Sequence, residues 1–85
     1  MKNPNPSSLK LEEQYQFYLK MVCLEESKMS ETQKTETRRA FYGACGQILI
    51  LARDVISEME ERPAIETFQD LLKQVSVFWE KEISK

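Results

Sequence analysis

Histidine is absent from the 85 residues, and glycine, proline and cysteine number only two, three and two. Without histidine there is no Ser-His-Asp or Cys-His arrangement, no Glu-x-x-His di-iron pattern and no His-containing zinc site. The glycines, Gly43 and Gly46, sit inside an apolar helical stretch and form no phosphate-cradling loop. Two cysteines cannot close a structural zinc site. In an antiparallel helical hairpin Cys23 and Cys45 would stand roughly 15 Å apart along the axis, beyond the about 7 Å between Cα atoms that a disulfide tolerates. Both are therefore expected as free thiols of a reducing compartment. Scarce Gly and Pro leave long segments without breakers, which favours helices over a turn-rich β fold. No basic excess exists either: the formal charge is −2, which argues against a non-specific nucleic-acid binder. The longest unbroken apolar run, Ile48 to Ala52, is short for a bilayer span. The N-terminus lacks the apolar h-region of a signal peptide. No membrane association and a cytoplasmic location are the expectations.

Hydrophobic residues make up 41% of the chain, enough for a packed core and too many for a disordered segment. The length suits one domain near the lower limit of independent stability, so self-association would help it. Residues 1–7 read as a flexible polar leader, and 8–85 as a single helical domain.

Ser8 is a candidate N-cap for a first helix from Leu9 to about Glu26, with Leu11, Tyr15, Tyr18, Leu19 and Val22 on one face. Ser30-Glu31-Thr32-Gln33 is a capping box that opens a second helix. Its apolar positions Phe41, Cys45, Ile48, Ala52, Val55 and Met59 follow spacings of 4, 3, 4, 3 and 4, which predict one helix to about Glu60. Pro63 suits the start of a third helix, whose Ile65, Phe68, Leu72, Val75 and Trp79 repeat the pattern. Short connections favour antiparallel neighbours. The expectation is an all-α, three-helix antiparallel bundle with a long central helix, with a bend near Gly43–Gly46 as an open alternative.

Two features exceed what a minimal bundle needs. Gly43, Gly46 and Ile50 lie on the back of the second helix, flanked by Arg39 and Arg53. Each mid-helix Gly costs about 1 kcal/mol relative to Ala. Close approach of a partner would compensate; a helix bend and simple tolerance are the alternatives. The first helix carries a second stripe, Phe17, Met21 and Leu24. It is either an interface, since exposed contiguous apolar surface usually marks one, or a face buried between the other two helices. Lys34, Arg38 and Arg39 could contact phosphates, but Glu31 and Glu36 interleave with them and a solvated surface is favoured. Carboxylates at helical spacing, such as Asp54 with Glu58, read as solvated charges.

The stretches Leu11-Glu-Glu-Gln-Tyr-Gln-Phe-Tyr-Leu-Lys20 and Arg38-Arg-Ala-Phe-Tyr-Gly-Ala-Cys-Gly-Gln-Ile-Leu-Ile-Leu-Ala-Arg-Asp54, with a Trp-containing final helix, resemble small uncharacterised helical proteins encoded by bacteriophages and prophages. The resemblance carries no catalytic motif. It implies a genetic context, the cytoplasm of a bacterial host, and an accessory role such as inhibition of a host defence or other host protein. The expected function is therefore a non-enzymatic protein–protein interaction module that self-associates and requires no cofactor or metal. A nucleic-acid-binding regulator using Lys34, Arg38 and Arg39 is the alternative.

Overall fold

The computed structural model describes residues 7–84. The leader expected over 1–7 lies, apart from Ser7, outside the described residues. Three α-helices, α1 (Leu11–Met21), α2 (Glu31–Asp54) and α3 (Glu61–Ile83), are joined by 3-10 turns at Glu26–Lys28 and Ile56–Glu58. No strand occurs among the described residues. The fold is all-α, with three helices as expected. Two compact units divide the chain, Met1–Gln47 and Ile48–Lys85, and α2 contributes residues to both.

The first helix is shorter than its periodicity predicts. It begins at Leu11 behind Lys10, which makes no side-chain cap bond. Ser8 acts from further out: its hydroxyl oxygen accepts from the Lys10 N–H at 3.1 Å and its proton goes to the Glu13 carboxylate. At the other end Cys23 adopts a left-handed backbone, φ 60°. The Leu24 N–H then donates to the Leu19 carbonyl at 2.9 Å and the Cys23 N–H to Lys20 at 3.2 Å. This is a Schellman termination, with cysteine where glycine is usual. It closes α1 at Met21 rather than near Glu26.

Ser30 caps α2 with the first of the two bonds of a capping box, the Gln33 N–H donating to Ser30 Oγ at 3.1 Å. The helix continues through Gly43 and Gly46 without interruption. It stops at Asp54, not near Glu60: a 3-10 turn follows at Ile56–Glu58, and Pro63 accounts for the extended break after that turn. A continuous helix would drive the Pro63 ring into the carbonyl four residues back and leave that carbonyl unbonded. That carbonyl belongs to Met59, and there the chain turns extended: ψ is 154° at Met59 and 161° at Glu60. Pro63 then falls in the first turn of α3, where its missing N–H had no partner in any case. The turn Ile56–Glu58 packs against α3, and the Thr67 hydroxyl donates to the Pro63 carbonyl at 2.8 Å.

Burial is uneven. Within the first unit Tyr15 and Leu19 are the buried hydrophobic side chains among the described residues, at 0% and 3% exposure. In the second unit Ile56, 3% exposed, stands alone in that class. The stripes expected to form a core in α2 and α3 are open from Ile48 onward, with Ile48, Val55, Met59, Ile65, Phe68, Leu72, Val75 and Trp79 all exposed.

Candidate interaction surfaces

In the first unit, Tyr15 is clasped by aromatic rings from α2. Its centroid lies 5.2 Å from Phe41 and 6.3 Å from Tyr42, and Tyr18 meets Phe41 at 5.6 Å. Tilted pairs at these separations add about 0.5–1.5 kcal/mol beyond area burial. Arg38 covers the remaining face, its guanidinium carbon 4.5 Å from the Tyr15 centroid. The same guanidinium pairs with Glu12 of α1 and with Glu26 of the first 3-10 turn, the latter at 3.2 Å. Tyr42 donates to Glu12 at 2.9 Å, and Gln16 donates to Glu12 at 3.0 Å. One arginine thus ties α1, the turn and α2 together.

These contacts set the titration of the cluster. The Arg38 hydrogen bond, helped by Gln16, lowers the Glu12 carboxyl from 4.5 to about 2. Burial raises the Tyr15 phenol, and the hydrogen bond to Glu12 raises that of Tyr42. A carboxyl whose pKa is lowered by folding stabilises the fold above its unfolded pKa and ceases to do so as pH falls through its folded pKa. Thermal melts should therefore show stability falling between about pH 4.5 and about pH 2. The loss is expected to be modest, because the Glu12 side chain is 52% exposed and screened by solvent. Glu12→Gln should flatten the profile in that window; an unchanged profile would show that the pair adds no stability.

The basic group is largely committed. Arg38 is held by Glu12 and Glu26, and Lys34 pairs with Glu31 at 3.3 Å. Arg39 is exposed, and a groove of about 440 Å³ runs past Thr35, Arg38, Arg39 and Tyr42. Phosphate binding there would compete with the ion pairs that hold the unit together.

The second stripe expected on the first helix is not one helical face, because α1 ends at Met21 and Leu24 lies beyond the left-handed Cys23. Met21 is 68% exposed, whereas Phe17 and Leu24 are half-buried. Leu24 lines a groove of about 520 Å³ with Tyr18, Ala40, Phe41 and Ala44, and Glu36 and Thr37 supply its polar atoms.

On α2, Gly43 is exposed and Gly46 half-buried. A methyl group added at either would meet nothing within 4 Å. Neither glycine is demanded by packing among the described residues. Ile50 is 52% exposed, and exposed Arg53 forms a bidentate pair with Asp54 at 2.6 and 2.9 Å, which lowers the aspartate pKa. Ile48, Leu49, Ile50 and Leu51 follow one another at about 100° per residue and so point to every side of the helix. All four are exposed, at 48%, 54%, 52% and 36%. An all-round apolar turn is normally buried. Glu31–Glu58 also contains an 18-residue window of mean hydropathy 1.2, long and apolar enough by length and composition to cross a bilayer.

The sequence pattern places Ile50 on the candidate interface and Ile48 on the core stripe; the exposure of Ile48 corrects the second reading. The Glu12–Arg38–Glu26 network left no signal, because its partners lie 26 and 12 residues apart. The chain matches no protein-family model, no curated protein and no solved structure.

Proposed function

We propose that this chain is a non-enzymatic helical binding module that self-associates and docks α2 against a larger protein. The observation that carries the reading is the exposed apolar turn Ile48–Leu51 of α2, on the same helix as two glycines that no neighbour among the described residues requires. Exposed contiguous apolar surface marks a site of association, and a Gly43/Gly46 strip would let a partner helix approach closely. Arg39 and Arg53 would form a polar rim. A protein partner suits this helix better than a bilayer, since Arg53 and Asp54 fall inside its apolar window and a charged residue costs up to about 2.5–3.5 kcal/mol at a membrane centre. The resemblance to phage-encoded proteins makes a host protein in the bacterial cytoplasm, inhibited or modulated by binding, the partner class we propose.

The test uses the immobilised chain to capture proteins from host lysate, comparing wild type with Gly46→Leu and Ile50→Asp. Space at Gly46 is open, and leucine is a better helix former by up to about 1 kcal/mol. Gly46→Leu should therefore raise helicity in circular dichroism while abolishing capture. Capture of the same proteins by both variants would overturn the reading.

A further inference from the structure

The second unit poses a packing problem that its own residues do not solve. Between Ile48 and Ser84 one hydrophobic side chain, Ile56, is buried. On α3, Ile65, Phe68, Leu72, Val75 and Trp79 recur at spacings of 3, 4, 3 and 4, the seam of a coiled coil. Phe78 borders that seam. These six are 41–66% exposed.

We infer that a second copy of this chain covers the α3 seam, with the two α3 helices antiparallel. The inference deepens, and rests on, the reading of the chain as a self-associating module. Area and charge support it. Half-exposed side chains of this size leave roughly 100 Å² each, so the six offer about 600 Å² per chain. With a polar rim this approaches the about 800 Å² per partner of a stable standard interface. The seam is self-complementary in the sense a two-fold interface requires, because the same patch serves both copies.

Charge selects the orientation. The N-terminal end of α3 and its approach carry Glu58, Glu60, Glu61, Glu66 and Asp70 against Arg62 alone. Over the following residues to Ile83, Lys73 and Lys81 balance Glu80 and Glu82. A parallel pair would set the two acidic ends side by side. An antiparallel pair holds them up to about 35 Å apart, several times the screening length of about 8 Å at physiological salt. Each acidic end then faces the neutral half of its partner.

Sedimentation equilibrium of the full chain across the micromolar range should show a dimer, with a thermal midpoint that rises with protein concentration. Leu72→Glu puts a carboxylate into the seam and should raise the dimer dissociation constant by about a hundredfold or more. Orientation is read by thiol crosslinking in a Cys23→Ser/Cys45→Ser background. Chains carrying Glu61→Cys mixed with chains carrying Ser84→Cys should crosslink to each other, and neither should crosslink to itself. The crosslinks also decide the matter if Leu72→Glu fails to fold. Self-crosslinking of Ser84→Cys would overturn the antiparallel pair. A dimer unaffected by Leu72→Glu would overturn the α3 seam while leaving self-association standing. A wild-type monomer with a concentration-independent midpoint would overturn both.

Discussion

Tyr15→Ala is expected to unfold the Met1–Gln47 unit, by removing about 3–5 kcal/mol as buried aromatic truncations do. At roughly 0.05–0.15 kcal/mol per residue a unit of this length is stable by only about 2–7 kcal/mol, and its one other buried hydrophobic side chain among the described residues is Leu19. The ring is also the surface on which Phe41, Tyr42 and Arg38 converge. Its loss removes the platform of the Arg38 network as well as the apolar contacts. Tyr15→Phe should do the opposite. The Tyr15 hydroxyl is buried with no hydrogen-bond partner among the described residues, and an unsatisfied buried hydroxyl costs about 1–3 kcal/mol. Deleting it should stabilise the unit by about 1 kcal/mol or more. Hydrogen exchange at the amides of α1 distinguishes the two substitutions. Equal protection in both variants would show that Tyr15 is not the keystone described.

Ile56→Ala is the second large effect, with an expected loss of about 2–5 kcal/mol. Ile56 is the one hydrophobic side chain that the second unit buries among the described residues, and it sits in the turn that packs on α3. Ile56→Val should cost only about 0.5–1.5 kcal/mol. The graded pair of variants separates lost volume from a general intolerance of the turn. Exchange protection around Ile56–Glu58 should fall in the order wild type, valine, alanine; protection unchanged in the alanine variant would show that the corner is held by its backbone.

Sequence pattern revealed some of these features and concealed others for definite reasons. Ser30 and Pro63 were legible because caps and prolines act through local chemistry at fixed offsets. Tyr15 and Leu19 were legible as one face of a periodic helix. The end of α1 was not, because the left-handed residue that closes it is Cys23, whose side chain gives no sign of that backbone. The end of α2 at Asp54 was missed because Val55 and Met59 prolong its apolar stripe, while the break that Pro63 enforces falls later, at Met59. For α3 the pattern states which residues share a face but not what covers that face, so a seam was visible and its exposure was not. The Gly43/Gly46 strip was visible for the same reason. The structure adds that a methyl group at either glycine would meet no neighbour within 4 Å among the described residues.

The corner ahead of Pro63 also resets phase. In an unbroken helix Val55 and Met59 would hand the stripe of α2 directly to residues 62, 63 and 66, which are Arg, Pro and Glu. The apolar line would run into charge and stop. The extended pair Met59–Glu60 lets a new count begin, and Ile65 opens a seam in its own register. One proline thus allows a single chain to carry two incompatible rhythms, each addressed to a different listener.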